Sequence, residues 1–404
     1  MINPIDCHHT AMLSTHRSAH SLRGFYFLLG LMSGTWIALI PALRLQWGLD
    51  MQELGLVLLA TGVGAFSVYP IAHHGLPRLG SARMCLLSVP LLALAVGCLA
   101  WAPVLWTFVV AMYLAGAAAG LVDSAINSQA VVQEAAGQRS LMSGMHGFYS
   151  VGNLMAGGWV SLATLSGMSP KVQLSAVALV ALVVPWQIGR YLVSAPAPQG
   201  ESDVLAGKVP WNWALVMLGG LIISGYVLEG SLLDWSGVYL QTQLGARLAQ
   251  APWGFMAFSV AMVIGRLMGD RVIQAWGAGP TLTRAGALAT VAMVVSLTVP
   301  HLGVVVVAYG VVGMGMSVVV PILFSLSGRL NPGDGGRTVA KVAMIGYAGV
   351  LGGPALLGYL AHHISLRVAL AVLALLAVSL WRWGNRAARL VEQGPKPSVE
   401  TLSH

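Results

Sequence analysis

Charged side chains are scarce in this chain of 404 residues: Asp, Glu, Lys and Arg make up 8% of it, against 57% hydrophobic residues. A soluble protein carries about 25% charged residues. The apolar residues also come in long runs, many of them close to the ~20 residues that a helix needs to cross a bilayer. The composition excludes an ordinary soluble protein and predicts an all-α membrane protein.

Cysteine is equally scarce, with only Cys7, Cys85 and Cys98. The last two lie in one apolar run, where 13 residues of helix hold them about 20 Å apart, beyond disulfide reach. The cysteines also lack the spacing of metal ligands. Because the sequence has no phosphate-binding loop and no nucleophile–base pair, we expect neither a metal, a cofactor, an enzymatic activity nor an ATP-driven pump.

Hydrophobic runs separated by turn residues predict twelve spans. Their approximate ranges are 24–45, 54–73, 84–101, 104–127, 142–165, 171–193, 212–240, 252–269, 280–299, 302–327, 339–361 and 366–384. One long polar break divides them into two sets of six. The predicted parts are therefore an N-terminal tail (1–23), an N-terminal half (24–193), a linker (194–211), a C-terminal half (212–385) and a C-terminal tail (386–404).

Lys and Arg are distributed unevenly around these spans. With a cytoplasmic N-terminus, all but four of the 21 basic residues fall on the cytoplasmic side, as the positive-inside rule requires. The four exceptions are Arg44, Lys171, Arg247 and Arg367. We therefore expect both termini in the cytoplasm. The net charge of +8 reflects this bias, so it predicts contact with the lipid bilayer and no nucleic acid.

The two predicted halves share local features. Ser33-Gly34 in the first span corresponds to Ser224-Gly225 in the seventh, and the run 146–152 in the fifth is echoed by 346–354 in the eleventh. Two six-helix halves with corresponding features indicate a transporter that arose by duplication, with its binding site between the halves.

Asp123 is an acid inside the fourth predicted span, and Asn127 lies one turn further on the same helical face. A carboxylate within a membrane is costly, and such residues commonly serve protons, ions or substrates. We predict a proton-coupling role for Asp123 and a substrate or hydrogen-bonding role for Asn127. The alternative is that both residues only join neighbouring helices by hydrogen bonds.

Three further residues are candidates for proton movement or gating. Glu229, in the seventh span, is the second predicted proton carrier. His146, at the start of the fifth span, is either a proton relay or an interfacial residue. Asp234 is predicted to form a gate with Arg44, or else to be a solvated charge.

Aromatic and polar residues at helical positions are candidates for lining a cavity. Aromatic faces and polar groups together suit a sugar-like ligand, although aromatic residues at this spacing also pack helices or anchor them at the interface. The predicted substrate-binding residues besides Asn127 are Trp36, Tyr149, Asn153, Tyr226 and Tyr347.

The run Gly265-Arg-Leu-Met-Gly-Asp-Arg271, after the eighth span, resembles a loop motif of the major facilitator superfamily. In the corresponding place of the first half, His73 and Pro77 replace the motif's Gly and Asp, whereas Arg78, Gly80 and Arg83 remain. The resemblance implies the major facilitator fold and a gating role for Asp270, Arg271 and Arg78, by ion pairing or helix capping at the cytoplasmic side.

Within that superfamily, Asp123 to Asn127 and Gly147 to Gly152 resemble the fucose–proton symporter group. The first-span acid of that group falls here on Ile37. The runs 229–236 and 346–354 are similar to those of uncharacterised bacterial inner-membrane permeases. The fifth-span Gly-Pro motif typical of drug antiporters is missing from Gly152 to Gly158.

These features predict a monomeric secondary transporter of the bacterial inner membrane that moves a small solute by alternating access. Proton-coupled symport of a sugar-like or other small polar solute is favoured. Proton-coupled efflux of a drug or metabolite is the first alternative, and a ligand sensor of transporter fold that moves nothing is the second.

Overall fold

The computed structural model describes residues 4–137, 142–193, 211–330 and 335–393. Within these ranges the regular elements are helices, without a strand. Most of the predicted linker and the end of the C-terminal tail lie outside the described residues, as do Arg139, Lys208 and Lys396.

The helices form segments that we number one to twelve after the predicted spans. Segments one to six are Pro4–Ala38 with Ile40–Trp47, Met51–Ser67 with Tyr69–Leu79, Ser81–Trp101, Leu105–Gly137, Met142–Leu165, and Pro170–Ile188 with the 3-10 turn Gly189–Tyr191. Segments seven to twelve are Trp213–Leu244, Trp253–Trp276, Ala278–Thr298, Leu302–Met316 with Val319–Leu330, Gly335–His363, and Leu366–Glu392.

Ten of these segments have the composition of membrane spans. Nine are long and apolar enough over the described ranges, and segment one, bent by 46° at Leu39, makes a tenth. The remaining two, segments five and eight, have 24 residues each but are less apolar. They pack against each other across the two halves, where polar residues are shielded from lipid. The all-helical membrane fold is confirmed, while hydropathy by itself supports ten spans.

Several helices extend beyond the apolar runs that predicted them. Segment one begins at Pro4, so the predicted boundary at residue 24 falls inside a helix, and segment four continues to Gly137. Gln129, past the predicted end of span four, is buried and hydrogen bonded: it accepts from Ser81 Oγ at 2.5 Å and donates to the Val193 carbonyl at 3.1 Å. Polar partners from neighbouring helices allow the helix to continue where hydropathy ends.

The same helix pairs recur in both halves. Segment one packs on five, two on four, and three on six; in the second half seven packs on eleven, eight on ten, and nine on twelve. Glycines permit several of these contacts, since a Cβ at Gly116 would collide with the Thr61 carbonyl and one at Gly152 with the Phe27 carbonyl. This repeated packing agrees with a fold of two equivalent six-helix halves.

The halves meet along segments two and eleven and along segments five and eight. The tightest contacts lie toward the end opposite the chain termini, which we call the far end. There Gly55 abuts Pro354 and Gly358, and Gly157 abuts Met256. An ion-pair contact of 3.4 Å joins His362 Nδ1 of segment eleven to Asp50 Oδ2 before segment two. The halves are thus held together at the far end.

The packing at Gly116 gives a first testable prediction. Gly116→Ala is expected to destabilise the protein by about 1–3 kcal/mol, because the new methyl group meets backbone atoms that cannot rotate away. Gly220→Ala is the control, since nothing lies within 4 Å of a Cβ there. Unfolding temperatures of the purified variants in detergent measure the difference, and equal temperatures would contradict the packing at Gly116.

Candidate functional site

Asp123 lies near the middle of segment four, and the Asn127 side chain, one turn further on, lies beside its carboxylate. Asn127 in turn accepts a hydrogen bond from the Tyr26 hydroxyl of segment one, at 2.7 Å from Oδ1. The Asn127 amide therefore lies beside both Asp123 and Tyr26. Asp123 and Asn127 lie one turn apart on one helix, as their spacing predicts, and their roles stay predictions. Tyr26 is a partner that sequence reasoning missed.

His146 adds segment five to this group. Its ring lies edge-on against Tyr26, with 5.3 Å between the ring centroids. It is half-buried, and both the relay and the interfacial interpretation stay predictions. Segments one, four and five thus bring Tyr26, Asp123, Asn127 and His146 together within the first half.

The second half contributes an ion pair. Arg266 Nη2, at the middle of segment eight, lies 3.6 Å from Glu229 Oε1 of segment seven, and about a quarter of each side chain is exposed. Arg266 Nη1 also donates to Ser150 Oγ of segment five at 3.2 Å. Arg266 thus joins the predicted proton carrier Glu229 to the first half.

Three tyrosines lie between the halves. Tyr226 of segment seven stacks on Tyr347 of segment eleven, with centroids 5.9 Å apart and an interplanar angle of 24°. The ring of Tyr347 also contacts that of Tyr69 of segment two, with centroids 5.9 Å apart. Gly346 permits this arrangement, because a Cβ there would meet the Tyr226 ring. Two of the predicted cavity residues are therefore brought together, with Tyr69 as a third that was not predicted.

The two groups share one region of the bundle. Tyr69, Tyr226 and Tyr347, which lie on segments of both halves, are close enough to Asp123 for its charge to act on them. Tyr149 lies within similar reach of Asp123, Glu229 and Arg266. We call the region around Tyr26, Asp123, Asn127, His146, Ser150, Glu229, Arg266 and the three tyrosines the central site.

Other predicted residues lie apart from this arrangement or at its edge. Asn153 is buried and packs against Gly34, so it joins segments one and five, and its amide oxygen has no hydrogen-bond partner among the described residues. Trp36 lies in a different, largely apolar pocket with Leu54, Phe108 and their neighbours. The predicted role of Trp36 in the central site therefore has no contact to support it.

The predicted gate between Asp234 and Arg44 is not formed: the described residues include no ion pair between them. Arg44 lines the same apolar pocket as Trp36, and the acid whose charge acts on it is Asp50. The charge of Asp50, and not that of Asp234, acts on Arg44 because Asp50 caps the helix that follows Arg44 in the chain, whereas Asp234 is on segment seven.

Asp270 and Arg271 do not lie in a loop, because segment eight continues as a helix to Trp276. Both are exposed, as is Arg78, and none of the three forms an ion pair among the described residues. Their gating role therefore stays a prediction.

Arg266 is the residue of this site that sequence reasoning most clearly missed. It was counted among the cytoplasmic basic residues although it lies inside the predicted span 252–269. An arginine within a span demands a partner, and Glu229 was the available acid in the preceding span. That rule would have identified the pair.

Comparison with known proteins gives the family. Residues 223–399 match the model of the Major Facilitator Superfamily. Over 360 residues the chain is 32% identical to an uncharacterised MFS-type transporter of Yersinia pestis, covering 89% of this chain and 93% of that protein. The chain belongs to the Major Facilitator Superfamily. It is also 30% identical over 347 residues to the membrane protein MosC of Rhizobium meliloti, covering 85% of this chain and 84% of MosC.

Solved structures of the superfamily have the same fold. The nucleoside transporter NupG superposes with a TM-score of 0.75 at 12% identity, covering 93% of this chain and 99% of NupG. A bacterial homologue of the human lysosomal transporter Spinster, in an inward-facing and unoccupied conformation, gives 0.72 at 14% identity, covering 95% and 99%. As a member of the superfamily, the chain is a membrane transporter of a solute and not an enzyme.

Proposed function

We propose that the protein is a proton-coupled secondary transporter that carries a small polar solute through the central site by alternating access. The observation that carries this proposal is the environment of Asp123. It is an acid near the middle of a membrane-spanning helix, and the side chain beside it is the neutral Asn127. Among the described residues it forms no ion pair.

The charges of the central site support proton binding. Glu229 is compensated by Arg266, whereas Asp123 forms no ion pair among the described residues. Closing low-dielectric protein around an uncompensated carboxylate costs several kcal/mol. A bound proton removes that charge, so the closed, occupied state becomes accessible when Asp123 is protonated. In this proposal Asp123 carries the coupling proton, and Glu229 serves as a second carrier when it leaves Arg266.

The packing of the halves supports alternating access. With both termini in the cytoplasm, the far end faces the periplasm of the bacterial inner membrane, and the contacts at Gly55, Gly157 and His362 seal that side. The arrangement is then inward-facing. Opening the periplasmic side requires these contacts to separate while a cytoplasmic contact forms, for which Asp270, Arg271 and Arg78 are available.

The lining supports a polar solute. Tyr69, Tyr226 and Tyr347 offer aromatic faces and hydroxyl groups, and Asn127, His146 and Ser150 add hydrogen-bonding groups nearby. Such a mixture suits a small ligand with several hydrogen-bonding groups. We favour symport of such a solute by a monomeric protein.

Transport into proteoliposomes tests this function. Purified protein is reconstituted with an imposed pH gradient and supplied in turn with labelled sugars, organic acids and amphiphilic drugs. We expect gradient-driven accumulation of at least one polar solute, abolished by a protonophore. Accumulation of drugs in the opposite direction would establish efflux instead. Binding without movement would indicate a sensor, and transport indifferent to the protonophore would refute proton coupling.

A further inference from the structure

The guanidinium of Arg266 has unused hydrogen-bonding capacity. A guanidinium carries five N–H donors in a planar fork that matches an oxyanion. Among the described residues, Arg266 makes one hydrogen bond, to Ser150 Oγ at 3.2 Å. Its distance of 3.6 Å to Glu229 exceeds the 2.7–2.9 Å of a charge-assisted hydrogen bond.

The remaining donors are not enclosed by protein. No nitrogen of Arg266 is among the buried polar atoms without a partner, and a quarter of its side chain is exposed within the bundle. Arg266 also lies at the midpoint of segment eight, beside the region that Tyr149 and Asp123 line. An arginine placed there presents its donors to whatever occupies the central site.

From these observations we infer that Arg266 binds an oxyanion group of the transported solute, a carboxylate or a phosphate. This inference rests on the proposed transport function and names its substrate class. The bound oxyanion accepts hydrogen bonds from the guanidinium of Arg266, with the Ser150 hydroxyl beside it. Glu229 then no longer pairs with Arg266.

The charge balance of the site then couples the anion to a proton. With Asp123 and Glu229 ionised and Arg266 charged, the three groups sum to −1. One monoanion added with one proton leaves this sum at −1, whereas the anion added by itself makes it −2. Asp123, the coupling acid of the proposed function, accepts the proton, and Glu229, displaced from Arg266, is the second acid that can hold one. The anion therefore enters with a proton, and moving both together transfers no net charge.

The other titratable groups facing Arg266 act in the same direction or stay neutral. They are His146 and Tyr149 of segment five. Protonation of His146, Asp123 or Glu229 makes the site more positive. Oxyanion binding should therefore strengthen as the pH falls.

Matched ligands test this inference. Thermal unfolding of the purified full chain is measured with glucose, glucuronate and glucose 6-phosphate, and with benzamide and benzoate, at a mildly acidic and a mildly alkaline pH. A ligand that binds the folded state raises the unfolding temperature by mass action. We expect at least one anion to stabilise the protein, more so at acidic pH, and its uncharged counterpart to have no effect. The two glucose derivatives distinguish carboxylate from phosphate.

Variants of Arg266 test whether this residue binds the anion. Arg266→Lys keeps the charge and loses the fork, so the anion should bind about tenfold to hundredfold more weakly. Arg266→Gln with Glu229→Gln removes both charges, which avoids leaving a lone acid in the site. Arg284→Gln is the control, because Arg284 is exposed and stacks on Trp276 outside the site, and it should bind as the wild type does.

Three results would overturn the inference: no anion-specific stabilisation in this panel, an equal effect of the uncharged counterpart, or undiminished anion binding by the variant lacking both charges. The proposed function fails separately. Proton-coupled transport of glucose without anion binding would support the proposed function and refute the oxyanion inference. Anion transport without proton movement would refute proton coupling and support the oxyanion inference.

Discussion

Asp123→Asn is expected to abolish proton-driven accumulation of the solute while leaving exchange of solute across the membrane intact. The amide has the shape of the protonated carboxyl and carries no charge, so the site should close around solute as it does when Asp123 is protonated. Because the amide cannot release a proton, the pH gradient cannot drive solute movement by this variant. The amount of solute accumulated by this variant should fall to the amount that exchange gives without a pH gradient.

Accumulation and counterflow in proteoliposomes separate these two effects. Glu392→Gln is the matched control, since Glu392 is exposed at the end of segment twelve and its charge has no place in the cycle. The control should accumulate solute as the wild type does. Full proton-driven accumulation by Asp123→Asn would show that Asp123 is not the coupling acid, and loss of counterflow as well would assign it to solute binding or structure.

Arg266→Gln is expected to lower the stability of the protein by on the order of 1–3 kcal/mol, and adding Glu229→Gln is expected to restore much of it. Removing one partner of a buried pair costs about 3–5 kcal/mol because the other charge is left alone. The partial exposure of both side chains reduces that cost here, toward the ~1 kcal/mol of a surface pair.

A double-mutant cycle on unfolding temperatures measures this coupling. Its members are the wild type, Arg266→Gln, Glu229→Gln and the double variant, purified in one detergent at neutral pH. Simple addition of the two single effects would show that Arg266 and Glu229 do not interact. An unchanged stability of Arg266→Gln would contradict the ion pair altogether.

The fold was predictable because membrane insertion imposes a coarse and regular pattern. Ten of the twelve predicted spans have the length and apolarity of a bilayer crossing, and repeated features such as Ser33-Gly34 and Ser224-Gly225 identified the two halves. Hydropathy failed where helices are surrounded by protein. Segments five and eight, and the continuation of segment four past Asn127, place polar residues against other helices, which a lipid-based criterion does not describe.

The arrangement of the central site was predictable where its residues are close together in the sequence. Asp123 and Asn127 are one turn apart, so their adjacency follows from helical spacing. Contacts between residues on distant segments could not be predicted from sequence spacing. Tyr26 reaches Asn127 across 101 positions and Arg266 reaches Ser150 across 116. These pairings depend on helix packing, and the same packing places Trp36 and Arg44 in a separate pocket at the far end.

The central claim is that solute movement through the region between the halves carries protons by way of Asp123. Simultaneous recording of internal pH and solute uptake in proteoliposomes tests it most directly, with wild type and Asp123→Asn side by side. We predict that solute added to wild-type vesicles acidifies the interior in proportion to the solute taken up, and that Asp123→Asn exchanges solute without acidification. Solute uptake by the wild type with no change of internal pH would contradict the account.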